Sequence, residues 1–203
     1  MTSSPTANRH ELTRADILPL ADYTAVRRER RRQIAELKRR RRLEVGPFAT
    51  FHFENFATMQ QQVQEMLYIE KGGESQISDE LSAYNPLIPK GNELVATIMF
   101  EIDEPIRRAA VLSRLGSIEH AAFIDVNGQR IRGEADPTRE NTSPEGKASS
   151  VQFIRFPFSP AHIAAFKAPG ARVAAGFDHP NYGHLARMPE PVRAALAEDF
   201  DPE

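Results

Sequence analysis

The 203-residue chain contains no cysteine and no tryptophan. Without Cys there are no disulfides, no Cys-ligated iron–sulfur clusters, no thiolate zinc sites and no thiol nucleophiles, so any metal would have to be held by His, Asp, Glu or Tyr. Long apolar runs are also missing. The longest, residues 94–100, falls far short of the roughly 20 residues a membrane helix needs, and residues 1–12 lack the apolar centre of a signal peptide. A cytoplasmic protein without membrane contact is therefore expected. There is no glycine-rich phosphate loop and no regular βα repeat, which argues against a doubly wound fold. The lack of a nucleophile elbow or a Ser-His-Asp arrangement argues against a serine hydrolase. Neither charge sign dominates, since 26 basic and 28 acidic side chains leave a net charge of −2.

The periodicities that are present point to an α+β domain. Residues 1–12 are small and polar and read as a flexible tail; the domain should span 13–203. Asp22 caps a long helical segment over residues 23–43, which Gly46-Pro47 ends. Phe51 and Phe53 alternate with His52 and Glu54 as in a half-buried strand. Over residues 56–70, Phe56, Met59, Val63, Met66 and Leu67 share one side of a helix, an ordinary core stripe. A short helix over 75–83 precedes the prolines of 84–89, and Leu94, Ala96, Ile98, Phe100 and Ile102 form one apolar strand face. Asn127-Gly128 predicts a tight hairpin between strands 121–126 and 129–135. Residues 136–149 read as a mobile loop; strands at 151–158 and 172–178 and helices at 105–115, 160–166 and 191–200 complete the pattern. The expected architecture is a mainly antiparallel sheet packed with a long basic N-terminal helix and several shorter helices; a small barrel with outer helices is the runner-up.

The charge is unevenly distributed. Residues 27–44 hold ten Lys or Arg against three Glu, a local charge of +7 that leaves −9 for the remainder. Phosphate binding is the sharp reading, but the stretch has no interleaved aromatics on which bases could stack, so nucleic acid is disfavoured against a solvated or protein-docking face. On a helical wheel Tyr23, Val26, Ile34 and Leu37 form one seam, and Arg30 and Arg41 fall within it. A guanidinium cannot shed its charge, so both require carboxylates, carbonyls or a bound anion; Glu54 and Glu65 are the candidate partners. Two readings stay open, an internal ion-pair network and a ligand-anion site.

Other polar residues form further groups. Thr58, Gln62 and Glu65 edge the second helix, where burial would require hydrogen bonds and Asn55 and Asn85 could supply them. His52 and Glu54 project from one strand face and could chelate a cation together. Asp178, His179 and His184 form the other dense set of ligands, and with Glu65 these residues make a candidate His/carboxylate site for Fe, Mn or Zn.

The runs R-R-E-R-R-R-Q-I-A-E-L-K-R-R-R-R (27–42), F-E-N-F-A-T-M-Q-Q-Q-V-Q-E-M-L (53–67), Y-N-P-L-I-P (84–89), E-L-V-A-T-I-M-F-E-I-D (93–103) and V-Q-F-I-R-F (151–156) together resemble a bacterial family, domain of unknown function 3501, over roughly residues 14–190. The family brings no established activity. The resemblance implies a genomic setting beside rubrerythrin-like proteins and iron–sulfur oxidoreductases, and hence an accessory or partner role in peroxide or redox stress. It singles out Glu54, Asn55, Gln62, Glu65, Met66, Asn85 and Pro86 without assigning them roles, and its pattern stresses F-E-N rather than the preceding His52. Three functions follow as expectations: a redox partner protein working through the basic helix or an exposed sheet edge, a metal-dependent enzyme or sensor, and a nucleic-acid binder. A homo-oligomer stays open.

Overall fold

The computed structural model describes residues 9–202. Along the chain, helix α1 (Leu20–Arg39) leads into the hairpin β1 (Arg42–Val45) and β2 (Ala49–Phe53). Helices α2 (Phe56–Glu70) and α3 (Glu74–Tyr84), strand β3 (Glu93–Phe100) and helix α4 (Pro105–Leu112) follow. Next come β4 (Ala122–Val126), β5 (Gln129–Arg132), β6 (Glu134–Ala135) and β7 (Val151–Pro157). Helix α5 (Pro160–Lys167), β8 (Val173–His179), β9 (Tyr182–Arg187) and α6 (Glu190–Ala197) complete the chain. The strands form two wholly antiparallel sheets, ordered β1-β2-β3-β7-β6 and β5-β4-β8-β9, so the protein is α+β.

Strand alternation decides the layering. Leu43, Val45, Phe51, Phe53, Ala96, Ile98 and Ile154 face Ile124, Ala175 and Phe177 of the second sheet in one apolar core, with the Phe51 and Phe177 rings 5.2 Å apart. Between β5 and β6 the chain passes from one sheet to the other at Gly133, where a Cβ would come within 2.4 Å of the Ile154 side chain. The opposite face of the five-stranded sheet, at Val95 and Phe153, is covered by Met59, Val63, Leu67 and Ile77 of α2 and α3. The result is three layers, sheet, sheet and helices, rather than a barrel.

The bounds of several elements are corrected here. Helix α1 starts at Leu20 behind Pro19 and stops at Arg39, because Leu43 and Val45 alternate into the core and take residues 42–45 into a strand. Arg41 therefore lies beyond the helix. Gly46-Pro47 turns a hairpin instead of closing a helix. The ligand-rich segment 178–184 is the tip of a second hairpin, with His179 opposite Tyr182, so β9 was missed. Asn127 and Gly128 take φ of 54° and 90°, as the tight turn required. Residues 1–8 of the expected tail lie outside the described residues. Residues 9–12 are anchored: Leu12 is buried, its N–H donates to Asn85 Oδ1 at 2.7 Å and its carbonyl accepts from Asn85 Nδ2 at 2.9 Å. The 136–149 segment carries internal bonds, including a Thr142–Ala148 bridge and a Gly146 N–H donating to the Ser143 carbonyl. Its Asn141 and Ser149 carbonyls accept from the buried Gln152 amide at 2.9 and 3.1 Å.

Candidate functional site: the seat and flanks of the basic helix

Helix α1 is 20 residues long, and Tyr23 is its one buried residue. Such a polar helix has too little apolar burial to dock by itself and depends on specific side-chain ties. The principal tie is to α2. The Tyr23 hydroxyl donates to Glu65 and accepts from Gln61 Nε2 at 2.6 Å. Arg27 meets the same carboxylate through two parallel bonds, Nε to Oε1 at 2.9 Å and Nη2 to Oε2 at 2.8 Å, and its guanidinium lies 4.2 Å from the centre of the Tyr68 ring. Burial and the Glu65 carboxylate push the Tyr23 phenol up to about 12, while the hydrogen bonds from Arg27 hold Glu65 below the ordinary carboxylate value despite partial burial.

The two arginines placed in the seam part company. Arg30 is exposed, because the seam is centred on Tyr23, Arg27, Ile34 and Leu37, and Val26 is likewise 40% exposed. Arg41 is only 4% exposed, and its answering carboxylate is Asp199, just beyond α6, rather than Glu54 or Glu65. Glu54 contributes its backbone carbonyl, 3.1 Å from Arg41 Nη2, and the Phe53 carbonyl accepts from Nε at 3.0 Å. Arg41 Nη1 reaches the Ala195 carbonyl at 3.3 Å, so one guanidinium joins the end of α1, β2 and the C-terminal helix. Burial raises the Asp199 carboxyl against the pull of Arg41. Neither Asp199 nor Arg27 was foreseen. The acidic run 198–201 was the available signal for the first; the second had none apart from its proximity to Arg30.

The other candidate residues separate. Asn55 caps α2, its Oδ1 accepting from Thr58 N–H at 3.0 Å. Gln62 reaches the Tyr84 hydroxyl at 3.4 Å, and Asn85 clamps Leu12. Met66 is half-buried on α2, and the Pro86 carbonyl accepts from Arg155 at 3.1 Å. His52 and Glu54 do share a strand face, but both Glu54 oxygens are engaged, by Thr97 at 2.7 Å and Thr58 at 2.6 Å. His52 Nε2 is buried without a hydrogen-bond partner, and desolvation lowers its pKa although Glu101 and Glu54 oppose this. Asp178 pairs with Arg130 at 3.1 Å, His179 is bonded to the Gly116 carbonyl at 3.1 Å, and His184 stacks edge-on against Tyr182 at 4.5 Å. The 178–184 tip belongs to the second sheet and Glu65 to the helical layer behind the first, so they form no joint site. Among the described residues there is no group of three or more His, Asp or Glu arranged to hold a metal.

What the fold does assemble lies along α1. On one flank, a cavity of about 200 Å³ is lined by Arg40, Arg41, Asn55 and Phe56, and a second of about 160 Å³ by Arg30, Gln33, Gln60 and Gln61. Leu37 lines both. On the other flank, Arg27, Arg28, Arg31 and Arg32 surround an open depression against Tyr68. Arg27 and Arg32 are answered by Glu65 and Glu29, whereas Arg28, Arg30, Arg31, Lys38 and Arg40 have no ion-pair partner among the described residues.

The family model for a protein of unknown function, DUF3501, matches residues 11–200. The chain belongs to this family. It is similar to a crystal structure, titled as a novel protein of unknown function, from Burkholderia pseudomallei K96243. The two are 38% identical with a TM-score of 0.86, over 94% of this chain and 99% of that one. No match was found among curated proteins. No helix among the described residues is long and apolar enough to cross a membrane.

Proposed function

We propose that this DUF3501 protein is a cytoplasmic docking protein whose long basic helix receives an acidic partner protein. One observation carries the reading: a 20-residue helix with a single buried residue displays, in and just after it, five cationic side chains unanswered among the described residues. Exposed charge of one sign accelerates encounter and selects oppositely charged surfaces more than it stabilises a fold. The setting that the family resemblance implies, beside rubrerythrin-like and iron–sulfur proteins, is the ground for the finer reading that the partner is a redox protein of a peroxide-stress system.

The test is co-purification from the native cells, with and without peroxide, using the tagged full chain and its Arg28→Glu/Arg31→Glu variant. An acidic redox protein enriched by the wild type and lost from the variant is the expected result. Enrichment of acidic proteins without redox chemistry removes the finer reading. Recovery of RNA or DNA, with affinity falling steeply as salt rises, would replace docking with nucleic-acid binding.

A further inference from the structure

Two cavities that share Leu37 lie along one flank of α1, one against α2 and the other where the end of α1 meets the start of α2 and the end of α6. We infer that together they act as a groove that seats an extended acidic peptide segment of the docking partner. The inference rests on the proposed docking role and names how the partner is read. The apolar part of the groove's lining is Leu18, Ile34, Leu37, Ala57 and Ile88. Its two ends are cationic, Arg30 at one and Arg40 at the other. Arg40, at the end of the helix, lies ten positions after Arg30, about 15 Å at the helical rise. An extended chain covers that distance in about four to five residues. The segment that fits therefore carries two carboxylates about four positions apart, with an apolar side chain between them over Leu37.

The remaining groups are consistent with an occupant of this kind. Glutamine amides line the wall, where Gln60 and Gln61 spend Nε2 on the Asp16 carbonyl and the Tyr23 hydroxyl and keep Oε1 open to accept from a peptide N–H. The first amides of α2, at Phe56 and Ala57, have no carbonyl partner within their own helix. Of the groove's own carboxylates, Asp16 is held by Arg9 at 2.7 Å and Asp199 by Arg41, which leaves Glu198 at the α6 end as the one anion unanswered among the described residues. Arg30 and Arg40 outnumber it.

Fluorescence anisotropy on the full chain tests this, with a labelled nonapeptide Gly-Ser-Glu-Ser-Leu-Ser-Glu-Ser-Gly as probe. Saturable binding is expected, weakened at least tenfold by Arg30→Glu/Arg40→Glu and less than threefold by Arg28→Glu/Arg31→Glu. Replacing the central Leu of the probe with Ser should cost a further severalfold. Equal losses from the two double variants, or equal binding of the Leu-to-Ser probe, would overturn the groove in favour of diffuse charge attraction; no saturable binding would overturn it outright. All four substituted arginines are exposed, and circular dichroism checks that both variants stay folded. The two readings fail separately. A native partner lost with Arg28→Glu/Arg31→Glu but no peptide binding removes the groove alone. Peptide binding by a chain that captures no acidic protein removes the docking role.

Discussion

The double-sheet core and the seat of α1 are held together by different physics. In the core, the side chains of Phe51, Phe53, Phe156 and Ile98 are essentially without solvent exposure and carry no titratable group, so their contribution scales with apolar area and does not titrate. At the seat, one tyrosine, one carboxylate and one arginine replace a hydrophobic stripe. The difference lets α1 carry extensive exposed charge without drawing any of it into the apolar core.

The sharpest way to break the contrast is to cut into the core. Phe51→Ala should cost about 3–5 kcal/mol by lost burial and a residual cavity, read as a lowered urea midpoint at unchanged slope. Arg41→Met should cost about 3 kcal/mol, because it strands the buried Asp199 carboxylate; adding Asp199→Leu should recover most of that loss, since an apolar pair needs no charge compensation. A failure of the double variant to recover would mean that the three backbone carbonyls, rather than Asp199, are what Arg41 satisfies.

Smaller and pH-dependent effects are expected at the seat of α1. Glu65→Gln should cost about 1.5 kcal/mol at neutral pH, the range of a charge-assisted hydrogen bond. The sign follows from the lowered Glu65 pKa: its contribution is complete above the ordinary value of 4.5 and is lost as the pH falls through the folded value. The wild type should therefore lose stability below pH 4.5 more steeply than Glu65→Gln, as acid-series melts would show. At the other extreme, the Tyr23 phenol favours the fold below the ordinary value of 10 and gives up that contribution as the pH rises through about 12. Ultraviolet titration should show late-ionising tyrosine, of which the Tyr23 component is lost in Tyr23→Phe while that of Tyr182, raised by its burial, is retained. Arg28→Glu/Arg31→Glu should change stability by no more than about 0.5 kcal/mol, the smallest effect of the set, because both side chains are exposed and unpaired.

Most of the regular structure was legible because it rests on short spacings. Residues 56–70 are a helix with the expected stripe, and Asn127-Gly128 makes the expected hairpin. The reading failed where two local patterns compete. A basic run of high helix propensity masked the Leu43/Val45 alternation, and a cluster of metal-ligand residue types masked a hairpin tip. At the candidate site, the inward placement of Arg41 was legible, but the same wheel also put Arg30 inside the seam, and the structure leaves Arg30 exposed.

By itself the sequence determined the α+β class, the long basic helix and the need of Arg41 for a buried answer, because periodicity and the permanent charge of a guanidinium act within a few residues or on one side chain. Only the tertiary structure decided what supplies that answer. Asp199 lies 158 residues from Arg41, and Glu65 lies 38 from Arg27; no spacing rule operates over such separations, and the pairs exist because the fold sets α1 against α2 and brings the residues just after α1 to the end of α6. The groove at Leu37 has the same origin, as a space between elements that each segment alone leaves undefined.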